Sequence, residues 1–94
     1  MHWFDLGVPP LPQVPTPETV LEALRTALRE RGAAPGRYAV VVDEDAARVA
    51  APCWWAVRLD GSSPEEAAAA YRADGGTVSE LWEVGLPEPA APTA

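Results

Sequence analysis

The chain has no lysine, no asparagine and no isoleucine, and all 7 of its positive charges are arginines. Without lysine there is no amine nucleophile, no Schiff-base former and no phosphate-loop lysine. The remaining bias toward Ala, Pro, Val, Glu and Arg is that of a GC-rich coding sequence and calls for no functional explanation. Cysteine and histidine occur once each, as Cys53 and His2. A lone cysteine excludes an internal disulfide, and its apolar neighbours mark a buried structural thiol in a reducing, cytoplasmic setting. His2 stands beside Met1, and with Cys53 as its one soft companion it cannot anchor zinc. No metal and no cofactor are implied. The start of the chain lacks the basic and then apolar regions of a signal peptide. Apolar runs such as Ala67 to Tyr71 are far too short to cross a bilayer, so no membrane association is expected.

Positive charge is also scarce. Against 14 acidic residues the 7 arginines leave a formal charge of −7. Most of such a surface repels a phosphate backbone, which argues against direct nucleic-acid binding. Acidity suits an ordinary soluble protein, and it also suits docking onto a basic partner, where charge steers association.

At 94 residues the chain makes one domain. Prolines divide it into a Pro-rich arm over 1–15, an α/β domain over 16–84 and a disordered Pro/Ala-rich tail over 85–94. A core of roughly 70 residues buries only about 60% of its unfolded surface, so its margin of stability is thin. A partner subunit or a homodimer would supply the missing burial.

In the arm, Pro9, Pro10, Pro12 and Pro15 favour extended backbone, and Trp3, Phe4 and Leu6 are placed to pin it to the core or to a partner. Thr16 then caps a helix with Pro17 at its first position, and Val20, Leu21, Leu24, Ala27 and Leu28 form its apolar stripe up to Gly32. Arg37 to Val42 reads as a central strand, apolar on both faces. The acids that follow, Asp43, Glu44 and Asp45, lack the alternating register and distal glutamate of a calcium loop and read as a solvated turn. Ala46 to Ala51 fits either a helical turn or a returning strand, closed by Pro52.

Cys53 to Val84 is the most sharply punctuated unit. Cys53, Trp55, Val57 and Leu59 alternate onto one strand face, and Trp54, Ala56 and Arg58 onto the other. With Trp55 in the core, Trp54 lies beside Arg58, where a guanidinium can stack on its indole. Ser63, Pro64 and Glu66 open an alanine-rich helix with a capping box, and Asp74, Gly75 and Gly76 close it. Thr77 to Val84 reads as an edge strand, with Glu80 breaking its apolar side and Leu81 its polar side. The order α-β-(β)-β-α-β defines an α+β fold. The expected form is a two-layer α/β sandwich, a three- or four-stranded sheet with two helices on one face and a parallel strand-helix-strand crossover.

Catalytic groups are few. Ser62, Ser63 and Ser79 take loop, cap and strand roles, and Gly75-Gly76 follows a helix, so it cradles no phosphate. Glu80, Glu83 and the acids at 43–45 offer paired carboxylates, whose simplest reading is a solvated surface. Four tryptophans, by contrast, exceed what so small a core encloses easily, and tryptophan is enriched at interface hot spots. The sequence therefore points to a small acidic protein-interaction module that is not an enzyme. It would be an accessory or regulatory subunit meeting a protein partner or its own copy through Trp3, Phe4, Trp54, Arg58 and Trp82, over an area on the order of 1,600 Å².

Two alternatives remain. The strand from Tyr38 to Val42 ending in acids, followed by the helix opening from Asp60 to Ala70, resembles the HicB-type antitoxin fold, in which a G-D-[ST]-x-E-E-A motif opens a helix. The resemblance covers about a third of the chain and implies a toxin-binding domain. The chain departs from that family in its long first helix, in Trp54-Trp55 where a polar, glycine-bearing segment is expected, and in having no separate DNA-binding domain. The other alternative is a small enzyme that binds an acid through Arg37 or Arg58 and uses carboxylate chemistry.

Overall fold

The computed structural model describes residues 2–7, 9, 13–44 and 53–88. In chain order these form β1 (Phe4–Asp5), α1 (Pro17–Glu30), β2 (Gly36–Asp43), β3 (Cys53–Arg58), α2 (Pro64–Ala73) and β4 (Glu80–Leu86). The four strands make one sheet in the order β1-β3-β2-β4, every neighbouring pair antiparallel. The α+β class and the layering of helix on sheet hold. The ambiguous stretch Ala46 to Ala51 lies outside the described residues, as does Asp45.

Local chemistry sets both ends of each helix. Thr16 Oγ1 accepts from Thr19 N at 3.3 Å while Thr19 Oγ1 accepts from Thr16 N at 2.8 Å, so the capping box closes through Thr19. At the other end Ala33 N donates to Leu28 O and Gly32 N to Arg29 O, a Schellman closure that needs the positive φ of Gly32. In α2, Ser63 Oγ accepts from Glu66 N at 3.1 Å and in turn donates to the Glu66 carboxylate. The same closure ends α2: Gly76 N donates to Tyr71 O and Gly75 N to Arg72 O.

β2 is the central strand, buried from Tyr38 to Asp43. Directly paired residues share a face, so its register with β3 and β4 sorts the core. Tyr38, Val40, Val42, Trp54, Ala56, Val84 and Leu86 pack with Val20, Leu24 and Leu28 of α1. Ala39, Val57 and Leu59 pack with Ala67 of α2. The helices therefore cover opposite faces of the sheet, a placement that differs from the expected single helical layer. The reason lies in the path of the chain. β3 and β4 both run antiparallel to β2, hence parallel to each other, and α2 connects them across the face that α1 leaves open.

The arm and the last strand also extend the sheet. β1 pairs with β3 through Phe4↔Ala56 and Asp5↔Trp55, and Leu6, only 4% exposed, sits in the α1-side core. Arg31 Nε donates to Asp5 O at 3.0 Å, tying the end of α1 to the arm. β4 starts at Glu80 and continues past the expected Val84, so Gly85 and the buried Leu86 belong to the sheet. Arg25 Nε donates to Gly85 O at 3.1 Å and holds that end of β4 against α1.

Candidate functional site

The two helices differ in bulk, and that difference makes a cleft. α1 presents valine and leucine to the sheet, whereas the inward face of α2 is Ala67 and Ala68. Short side chains fill little of the space between helix and sheet, and an open cleft of about 300 Å³ remains beside α2. Trp3, Asp43, Cys53, Trp55 and Tyr71 line it, with Asp74 and Gly76 at the end of α2.

Each wall has a local cause. Asp43 and Cys53 face each other across the β2–β3 ladder, two positions from Val41↔Trp55, so Asp43, Cys53 and Trp55 share the α2 face. Tyr71 reaches down from the last turn of α2, and its hydroxyl donates to Asp43 Oδ2 at 2.8 Å. Thr77 N also points at that oxygen, at 3.5 Å. Trp3, just before β1, meets the Tyr71 ring edge-on, with centroids 5.1 Å apart and planes at 62°. Gly76 completes the wall, because a Cβ there would collide with Cε1 and Cδ1 of Tyr71.

Asp43 corrects the reading of residues 43–45 as a solvated turn. β2 runs one position further than the alternation of valines suggested, and the Asp43 side chain is 0% exposed. Glu44, by contrast, is exposed. The other carboxylates do not converge. Glu80 pairs in register with Val42 and Glu83 with Ala39, which puts them on opposite faces of the sheet. Glu83 instead meets Arg37 at 2.9 Å in an exposed ion pair. Among the described residues no group of three or more His, Cys, Asp or Glu side chains gathers to hold a metal ion.

The five residues expected to meet a partner fall in four places. Trp3 lines the cleft just described. Trp54 is 6% exposed and packs under α1, because the bulkier helix covers its face and leaves the Trp55 face open. Phe4 and Arg58 line a second cleft with His2, Asp5, Arg31 and Tyr38. Arg58 Nε is bonded to Asp60 Oδ1 at 3.0 Å. Trp82 packs from β4 against the α1-side core, and its buried Nε1 has no hydrogen-bond partner among the described residues. Trp55, Tyr71 and Arg31 were not singled out as site residues. The strand alternation did place Trp55 opposite Trp54, but only the bulk of the facing helix decides which of the two is enclosed.

Comparison of the chain with protein-family models, with curated protein sequences and with solved structures gives no match. The HicB-type resemblance therefore rests on its local motifs alone.

Proposed function

We propose that this chain is a small interaction module, an accessory or regulatory subunit, that docks a basic partner protein. The partner's arginine or lysine side chain would enter between Trp3, Trp55 and Tyr71. The observation that carries this reading is the gathering of three aromatic rings, Trp3, Trp55 and Tyr71, around one open cleft of about 300 Å³ with Asp74 at its edge. Aromatic faces attract a cation held within about 6 Å of the ring, more strongly once it is desolvated. The formal charge of −7 favours approach of a basic surface and disfavours an acidic one.

The test is a calorimetric and tryptophan-fluorescence titration with a short arginine-rich peptide and with its glutamate-substituted counterpart, using the full chain and its Trp55→Ala variant. Saturable binding of the basic peptide alone, weakened by Trp55→Ala, supports the reading. Equal binding by the variant would reduce the effect to diffuse charge attraction and overturn it, as would the absence of saturable binding. Light scattering on the free protein adds a further check: a homodimer that shields Trp3 and Trp55 from quenchers would make the occupant a second copy and overturn the basic-partner assignment.

A further inference from the structure

The second cleft has a different chemistry. It measures about 410 Å³, lies between the arm, the end of α1 and the end of β3, and is lined by two guanidinium groups, those of Arg31 and Arg58. Two guanidiniums on one cleft are unexpected in a chain with twice as many acids as bases. Neither guanidinium is spent on a bidentate carboxylate. Arg31 is held through Nε on Asp5 O at 3.0 Å, and Arg58 through Nε on Asp60 Oδ1 at 3.0 Å. The terminal nitrogens of both have no hydrogen-bond partner among the described residues. Asp5, the acid within the cleft, has its Oδ1 occupied by Gly7 N at 2.7 Å.

The backbone makes room for both groups. Gly7 (φ 70) lies against the Arg31 guanidinium and Gly36 (φ 152) against that of Arg58. A Cβ at either glycine would stand 3.2 Å from an arginine NH2 nitrogen. Both glycines also hold backbone conformations that L side chains rarely adopt, so neither position readily accepts a larger residue. Beside the charges sits an apolar wall, Phe4 edge-on to Tyr38 with centroids 6.3 Å apart. The Tyr38 hydroxyl is turned away to donate to Ala34 O.

We propose that this cleft binds a small oxyanion carried on an aromatic body, a carboxylate or a phosphoester. The free ends of Arg31 and Arg58 grip the oxygens, and the Phe4–Tyr38 wall takes the ring. Planar guanidinium forks match both oxyanions, and fixing each fork through its Nε lowers the ordering cost of binding. The cleft shares no lining residue with the aromatic cleft beside α2, so the two sites fail or stand separately.

The experiment titrates the full chain with phenyl phosphate, benzoate and inorganic phosphate by calorimetry and ligand-observed NMR. Arg31→Gln and Arg58→Gln are compared with Arg72→Gln, a change on an exposed arginine of α2, and melting curves confirm that each variant folds. At least one aryl probe should saturate at one per chain, lose about tenfold or more in affinity in either cleft variant, and keep its affinity in Arg72→Gln. Comparing the two aryl probes shows which oxyanion the forks prefer. No saturation by ~10 mM, or equal affinity in all three variants, overturns the proposal. Inorganic phosphate binding as tightly as phenyl phosphate overturns the aromatic half of it. Gly36→Ala provides a second route, because it crowds Arg58 without removing charge, and aryl affinity unchanged in a folded Gly36→Ala protein contradicts the geometry.

Discussion

The Tyr71 hydroxyl donates to Oδ2 of the fully buried Asp43 at 2.8 Å, so the last turn of α2 is bonded to the central strand through a side chain. A carboxylate taken out of water depends on such donors, and removing one costs the desolvation that it had offset. Tyr71→Phe keeps the ring and its contact with Trp3 but deletes the donor. The expected loss is about 1–3 kcal/mol in urea unfolding. A loss under ~0.5 kcal/mol would show that Asp43 does not depend on this hydroxyl.

Gly76 tests the same corner sterically. Its φ is not positive, so alanine suits the backbone, yet its Cβ would strike the Tyr71 ring. Gly76→Ala should therefore destabilise the wild-type chain by about 1–3 kcal/mol, as overpacking does. In a Tyr71→Ala background most of that cost should vanish. A double-mutant cycle measures the difference, and additive behaviour would place the ring elsewhere.

What could be read from the sequence follows from what is local. Thr16, Pro17, Gly32, Ser63 and Gly75 mark helix ends through bonds within a few residues, and the structure uses them as marked. Alternation in β3 likewise put Trp54 and Trp55 on opposite faces, but the expected order is reversed: Trp54 is the enclosed one and Trp55 lines the open cleft. The face taken by α2 was not legible, because it depends on β2 lying between β3 and β4, a pairing that no local pattern encodes. Asp43 was misread for a related reason. An acid at the end of an apolar strand looks solvated until the partner above it, Tyr71, 28 positions away, is known. Arg31 and Arg58 are brought to one cleft by the arm and β3, and their separation in sequence gives no sign of it.

Leu24 and Val14 form a contrast within the first half of the chain. Leu24 is 0% exposed between α1 and the sheet, whereas Val14 is 80% exposed. Leu24→Ala should cost about 2–5 kcal/mol, and Leu24→Asp should prevent folding. Val14→Ala should move the midpoint of thermal unfolding by no more than a few degrees, consistent with a change within ±0.5 kcal/mol. Equal effects from the two alanine variants would place the α1 stripe somewhere other than the core.

The adjacent tryptophans separate stability from binding. Trp54 is enclosed under α1 with an exposure of 6%, while Trp55 is half-buried on the open cleft. Trp54→Ala leaves a large hole in the α1-side core and should cost about 3–5 kcal/mol, enough to threaten a domain this small. Trp55→Ala removes one cleft wall and should cost less stability while weakening the binding of a basic peptide. Acrylamide quenching checks the same division without a ligand. Trp55→Phe should remove an accessible component of the emission and Trp54→Phe should leave the accessible fraction intact, because a quencher reaches an indole only from solvent. If instead Trp54→Phe removes the accessible component and Trp55→Phe leaves it intact, the sheet faces have been assigned the wrong way round, and the cleft beside α2 loses the wall on which its proposed role depends.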